Sequence, residues 1–185
     1  MMIIRRAELD DAMAIADVHV RSWKAAYPGQ IPQGYLDSLH PEDRVESWQL
    51  VLTRTDWPRE GVFLLVDTSA TAGDGKVVGF SHICPTRDDD HDQVTTGEIT
   101  SIYLAPEVWS SGNGVRLMDA SLDEMVTAGY ETASLWALDT NVRARRFYEI
   151  GGWTADGATK VHDWVSFTCT DVRYVLDLKT RQIQS

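Results

Sequence analysis

The sequence has few cysteines and no long apolar run. Only Cys84 and Cys169 occur among 185 residues, too few for a disulfide framework, so we predict a reduced, cytoplasmic setting. No stretch approaches the roughly 18 consecutive apolar residues of a transmembrane helix, so no membrane partner is predicted. Residues 1–11 also lack the apolar region of a signal peptide.

Basic residues are scarce as well. The chain has 17 Lys and Arg against 28 Asp and Glu, for a net charge of −11. A nucleic-acid partner is disfavoured, because binding to phosphates requires clustered cations. The acidic balance suits either a solvated surface or a cationic substrate. The aspartates around His91 in 88–92 are consecutive rather than arranged as a cage, so we predict a solvated loop and no metal.

The length favours one domain over residues 1–180, followed by a frayed tail at 181–185. Within it, apolar periodicity and turn residues separate strands from helices. Predicted helices begin at Asp10 or Asp11, near Pro41, at Gly112, and at Asp139 or Thr140, and end near Tyr27, Thr53, Ala128 and Ile150. Predicted strands cover 2–6, 61–68, 76–85, 98–105 and 132–138, with a weak strand from Trp153 and a last one near 171–178.

A glycine-containing loop, Trp109–Gly114, joins a strand to a helix. It lacks the Gly-Lys-Ser/Thr of a P-loop. A dinucleotide fingerprint would need a third glycine where Leu117 stands, and the preceding elements are antiparallel hairpins rather than βαβ units. The loop is therefore either a site for an anionic group at a helix N-terminus or only a turn.

A second motif follows in the short helix near 141–150. Asn141, Ala144 and Tyr148 share one helical face, where the small alanine leaves room for a ligand, and Phe147 is predicted to turn toward the core. Three arginines accompany this helix, of which Arg143 and Arg146 are expected on a solvated face and the third is Arg145.

With these motifs the sequence resembles the GCN5-related N-acetyltransferases (GNAT family). The resemblance is carried by residues 98–107, Gly112-x-Gly114, Asn141-x-x-Ala144-x-x-Phe147-Tyr148 and Gly151-Gly152-Trp153. It implies an α/β (α+β) fold with a mixed, largely antiparallel sheet of about seven strands and about four flanking helices. A splayed strand pair in that sheet would hold acetyl-CoA.

The resemblance also implies a donor site. Backbone groups of Ile102, Tyr103 and Leu104 would hold the pantetheine arm and thioester carbonyl, with Asn141 hydrogen-bonding the arm and Arg145 lying near the nucleotide. The pyrophosphate would lie on the loop, formed by Trp109, Ser110, Ser111, Gly112, Asn113, Gly114 and Val115. At Trp109, Ser110, Ser111 and Val115 this sequence lacks the polar, basic or glycine residues that are common in the family. We therefore expect weaker CoA binding.

The implied activity is transfer of an acetyl group from acetyl-CoA to a primary amine, by direct attack in a ternary complex. Glu98 is our candidate base, acting directly or through water, although it could be a surface glutamate at a strand edge. The N–H of Leu104 would polarise the thioester carbonyl. Tyr148, protonated at neutral pH, would give its proton to the leaving thiolate, unless it is only a buried packing residue.

The sequence says less about the acceptor. Trp23 and Tyr27 resemble the acceptor-side lid of small-molecule acetyltransferases, although core packing explains them equally well. We predict a small-molecule amine. A protein or peptide N-terminus, or a catalytically silent acetyl-CoA sensor, stays open. Homodimers are common in similar proteins, but no residue here fixes the oligomeric state.

Overall fold

The computed structural model describes residues 1–69, 75–164 and 167–182, except for the side chains of Trp164 and Gln182. Seven strands form one mixed sheet in the order β1-β2-β3-β4-β5-β7-β6. Every neighbouring pair is antiparallel except β4 and β5, as the resemblance predicted. The strands are β1 Met2–Arg6, β2 Gly61–Asp67, β3 Lys76–Pro85, β4 Thr96–Leu104, β5 Thr132–Leu138, β6 Thr154–Trp164 and β7 Phe167–Asp177.

Six α-helices accompany this sheet in the described residues. They are α1 Ala12–Ala26, α2 Gln33–Asp37, α3 Glu42–Thr53, α4 Asn113–Thr127, α5 Val142–Ile150 and α6 Lys179–Gln182. The sequence predicted the four longer ones and missed α2 and α6, which are too short to show a periodic apolar face. Part of the expected frayed tail belongs to α6, where Arg181 bonds Asp119 and Asp123 of α4. Residues 183–185 lie outside the described part.

Helices cover both faces of the sheet. Val62, Leu64 and Val66 of β2 pack in the cluster beneath α1 and α3, whereas Phe63 between them packs in the cluster beneath α4. Because alternate residues of a strand point to opposite faces, β2 is buried on both sides. This explains the uninterrupted apolar run from Val62 to Val66.

The sheet opens between β4 and β5. Thr100 is an extra residue in β4, since His82 pairs with Ser101 while Ile83 pairs with Ile99. Such a bulge bends its strand. Pairing of β4 with β5 ends at Ile99, although β4 continues to Leu104. The two strands therefore diverge at the carboxyl end of β4.

The acidic loop after β3 corrects one expectation. Asp88 is buried rather than solvated, and it accepts hydrogen bonds from Trp136, Lys160 and Arg173 at 2.9–3.2 Å. Burial alone would raise the pKa of Asp88, but these hydrogen bonds lower it on balance. Arg173 also binds Asp90 at 2.7 Å, so the loop is fixed to β7.

Two classes of feature are absent from the described residues. No group of three or more His, Cys, Asp or Glu residues there is placed to hold a metal ion. None of the helices described is long and apolar enough to cross a membrane.

Candidate active site

A cavity of about 620 Å³ occupies the gap between the diverging ends of β4 and β5. It reaches from the N-terminus of α4 to the β6–β7 hairpin. Most of the residues predicted for the site line this cavity. They are Trp23, Tyr27, Glu98, Ile102, Tyr103, Leu104, Trp109, Ser110, Gly112, Gly114, Val115, Asn141 and Tyr148. Ser111, Asn113 and Arg145 do not line it.

Backbone groups of β4 face this gap. Ala105, just after the strand, donates its N–H to Val78 of β3 at 2.8 Å. Because residues of an antiparallel strand alternate in facing a given neighbour, the amides of Ile102 and Leu104 point away from β3 and toward the gap. The Leu104 carbonyl agrees with this orientation, as it accepts hydrogen bonds from Ser22 at 2.7 Å and Trp109 Nε1 at 2.8 Å.

The loop before α4 is shaped by two left-handed residues, Ser110 at φ 58° and Gly112 at φ 79°. The first N–H groups of α4 have no partner within the helix, and they carry the positive end of its dipole. Hydrogen bonds made by Ser111 and Asn113 within the loop stabilise its conformation. Ser111 donates to the Val108 carbonyl at 2.6 Å, and Asn113 Nδ2 donates to Ser111 at 2.8 Å.

Two arginines of α5 are placed differently with respect to the cavity. Arg143 is exposed, as expected, but it also lines the cavity and lies over the Trp109 ring at 4.0 Å. Arg145 points elsewhere, where it donates to Tyr174 Oη at 3.0 Å and to the Asp139 carbonyl at 2.9 Å. Positions 143 and 145 differ by about 200° around a helix, so they cannot share a face.

The cap of α5 differs as well. Asn141, not Asp139 or Thr140, caps the helix, and its Oδ1 accepts the Ala144 N–H at 3.1 Å. The side chain still lines the cavity. Phe147 lines the cavity too, and it also packs against the core cluster beneath α4, as predicted. Asn141 therefore orients the start of α5, and its side chain also hydrogen-bonds Tyr27 in the cavity wall.

Tyr148 is nearly buried at the bottom of the cavity, with 8% of its surface exposed. Burial raises the pKa of its phenol further above the usual 10, and the neighbouring phenols of Tyr103 and Tyr174 add to this effect. The hydroxyl therefore keeps its proton at neutral pH, as a proton donor must.

Glu98 lies on the cavity wall but is not a surface residue, since only 1% of it is exposed. Among the residues that the structure describes, Arg87 is the one that donates hydrogen bonds to the Glu98 carboxylate. The guanidinium donates to both oxygens at 2.6 and 3.1 Å, and the Arg87 backbone N–H donates at 3.0 Å. These hydrogen bonds raise the pKa of Arg87.

Comparisons with known proteins agree with this geometry. The sequence model described as the acetyltransferase (GNAT) family matches residues 23–152. The chain belongs to this family. It is 30% identical over 141 residues to the uncharacterized N-acetyltransferase YuaI of Bacillus subtilis (strain 168), covering 76% of this chain and 74% of that protein. The fold is shared with two solved structures, each 18% identical.

One of these is the PaiA N-acetyltransferase from Thermoplasma acidophilum in complex with coenzyme A, with a TM-score of 0.70, covering 96% of this chain and 99% of that one. The other is YncA, a putative acetyltransferase from Salmonella typhimurium with its cofactor acetyl-CoA, with a TM-score of 0.67 and coverages of 96% and 94%.

In this GNAT chain, several residues at the far end of the cavity escaped the sequence analysis. Trp136, Lys160, His162 and Asp171 come from β5 and the β6–β7 hairpin. His162 Nε2 lies 3.0 Å from Asp171. Burial raises the pKa of Asp171, although His162 opposes this. None of these residues follows a recognisable motif, and only the pairing of β5, β6 and β7 brings them together.

Proposed function

We propose that this chain transfers an acetyl group from acetyl-CoA to the primary amine of a small molecule, by direct attack in a ternary complex. The observation that carries this proposal is the single cavity that joins an anion-binding loop to a carboxylate. The outward-facing amides of β4 and the phenol of Tyr148 line the wall between them. A donor and an acceptor can therefore meet within one space.

The donor end fits the chemistry of coenzyme A. Unpaired N–H groups of α4 and the hydroxyl of Ser110 suit a pyrophosphate. Arg143, beside Trp109, supplies a cation that the loop itself lacks. The amides of Ile102 and Leu104 are placed to bind the amide groups and carbonyl of an extended pantetheine arm, much as an added strand would.

The acceptor end combines carboxylates with aromatic rings. Glu98 and Asp171 line it together with Trp23, Tyr27 and Trp136. Carboxylates attract an ammonium group, and aromatic faces favour both cations and apolar carbon chains. These groups support a cationic amine with an apolar body as the acceptor class.

Each residue has a defined part in the proposed reaction. The neutral amine nitrogen bonds to the thioester carbonyl carbon, the carbon–sulfur bond breaks, and sulfur leaves with the bonding electron pair. The Leu104 N–H stabilises the developing oxyanion. Glu98 takes the proton lost by nitrogen, directly or through water, and Tyr148 gives a proton to sulfur. Arg87 holds the Glu98 carboxylate in place.

An acceptor screen tests this function. Wild-type protein is incubated with acetyl-CoA and a panel of small amines and peptides, and released thiol is measured. We expect release with small cationic amines, at a rate that Tyr148→Phe reduces. Release only with peptides would overturn the small-molecule assignment.

A thermal-shift measurement with acetyl-CoA separates the remaining outcomes. Stabilisation without transfer to any acceptor would identify a silent sensor. No stabilisation at all would overturn the proposed donor site.

A further inference from the structure

His82, a buried histidine of β3, lies between Thr100 of the cavity wall and the partly exposed Glu60. Only 8% of His82 is exposed. Its Nδ1 lies 2.6 Å from Thr100 Oγ1. Its Nε2 is buried and has no hydrogen-bond partner among the described residues. Buried polar atoms are nearly always satisfied, so an exception calls for a functional explanation.

The two neighbours of His82 open to different places. Thr100, the bulged residue of β4, lines the cavity on the wall that includes Glu98. On the other side, Glu60 Oε1 lies 4.0 Å from His82 Nε2, and its side chain is 26% exposed to solvent. A small rotation of Glu60, or one bridging water, would close this distance. Thr100, His82 and Glu60 are therefore successive neighbours between the cavity and solvent.

Protonation states along this line favour passage of a proton. Burial, with a smaller contribution from Arg87, lowers the pKa of His82 to about 4, so the ring is neutral at pH 7. Burial raises the pKa of Glu60, opposed by Arg54 and reinforced by Asp56. Two further titratable groups lie on the same face, Cys84 at the next inward position of β3 and Glu98 opposite it. Neither Cys84 nor Glu98 lies between His82 and the two side chains next to it, Thr100 and Glu60.

We propose that Thr100, His82 and Glu60 form a proton relay that takes the first proton from the acceptor's ammonium group and releases one to solvent at Glu60. The ammonium gives this proton to Thr100 Oγ1 as the threonine proton moves to His82 Nδ1, and the Nε2 proton of His82 passes to the Glu60 carboxylate and on to solvent. The amine is then neutral and can attack, and Glu98 takes the second proton, which nitrogen loses after the attack. Once the product has left, the Nδ1 proton returns through Thr100 to water in the open cavity while Nε2 regains a proton from solvent through Glu60, which restores the starting tautomer.

The relay rests on the proposed function, since it requires an amine that loses a proton in this cavity. It complements Glu98, whose two oxygens are already held by three N–H groups of Arg87. A carboxylate in that state has fewer free lone pairs with which to accept a further proton. A second outlet would let nitrogen deprotonate without disrupting the buried ion pair.

Kinetics of matched variants test the relay. Thr100→Val and Glu60→Gln should each lower kcat about 10-fold or more at neutral pH and alter the acid limb of the pH–rate profile, because each interrupts proton transfer. Thr100→Ser keeps the hydroxyl and should retain near wild-type kcat. Glu46→Gln, on exposed α3, is the charge-matched control. If Thr100→Val has the same kcat and pH profile as the wild type, the relay is overturned, regardless of the effect of Glu60→Gln.

A spectroscopic test does not depend on turnover. The pKa of His82 is lowered to about 4, so nitrogen-15 NMR of the full chain should show a neutral ring between about pH 6 and 8. The ring proton should be on Nε2. A proton on Nδ1 would overturn the relay, since Thr100 could not then donate to it. The two tests fail separately. Absence of acetyl transfer to any amine would overturn the proposed function, whereas the wrong tautomer would overturn the relay alone.

Discussion

Arg87 and Glu98 form an ion pair between an exposed loop and the interior of the sheet. The Arg87 side chain is 65% exposed, whereas that of Glu98 is 2% exposed, and their closest atoms are 2.6 Å apart. The buried Glu98 carboxylate at the acceptor end is therefore neutralised by Arg87, a residue of an exposed loop. Asp88, the next residue, is buried and bonded to Arg173, which fixes the loop that carries Arg87.

Arg87→Ala should destabilise the fold by about 1–3 kcal/mol, because it leaves a buried carboxylate with fewer hydrogen bonds. Urea unfolding at pH 7 measures this loss. In the double variant Arg87→Ala/Glu98→Gln, the second substitution should recover part of it, since the unpaired charge is gone. Arg146→Ala removes an exposed arginine of α5 and serves as control. Strictly additive losses would contradict the coupling.

Tyr148→Phe should lower kcat about 100-fold or more and leave acetyl-CoA affinity nearly unchanged, because it removes only the proton donor. Steady-state kinetics and a direct binding measurement separate the two effects. Tyr130→Phe is the matched control, since Tyr130 is buried in the core and its hydroxyl donates to the Arg59 carbonyl away from the cavity. Equal effects of both variants on kcat would rule out the acid role.

Arg143→Ala should weaken acetyl-CoA binding about 10-fold, and the loss should shrink as salt is raised, because an exposed cation is screened. Arg145→Ala should change the affinity much less, because Arg145 bonds Tyr174 and Asp139 outside the cavity. Calorimetric titration at two ionic strengths provides the measurement. A larger effect of Arg145→Ala would restore the original expectation for that residue.

Acid should remove one identifiable contribution to stability. Hydrogen bonds from Arg173 lower the pKa of Asp90 to about 2, below the value of about 3.9 for an unfolded aspartate. The folded chain therefore binds fewer protons here than the unfolded chain, and the contribution exists above about pH 4 and is lost toward pH 2. The destabilisation by Asp90→Asn should accordingly diminish over that range.

Unfolding midpoints measured between pH 2 and 7 test this prediction. Asp89→Asn, at an exposed neighbouring position, removes one carboxylate of the same loop and serves as the charge-matched control. A constant difference between wild type and Asp90→Asn would mean that the Arg173 pair does not operate in solution.

Sequence patterns were sufficient for the long elements and for most of the residues that line the cavity near the N-terminus of α4. Apolar periodicity locates α1, α3 and α4, and the apolar run of β2 follows from burial on both faces. The cap of α5 was predicted incorrectly because Asp139, Thr140 and Asn141 are consecutive residues that all favour caps.

The acceptor end could not be predicted in the same way. Arg87 and Glu98 meet across a loop and a strand, and His162 meets Asp171 only because β6 pairs with β7 in this register. No local propensity encodes such contacts. His82 and Thr100 likewise meet only because of the bulge in β4.

The short parallel ladder between β4 and β5 has a mechanical consequence. In the described part of the chain, strand pairing joins the two halves of the sheet through four residue pairs, from Thr96–Thr132 to Ile99–Leu135. A ligand in the gap would touch both halves and act as a removable crosslink. Hydrogen exchange should then slow at amides of both β4 and β5, on the two sides of the gap, when donor is added, and thermal stability should rise with the logarithm of the donor concentration.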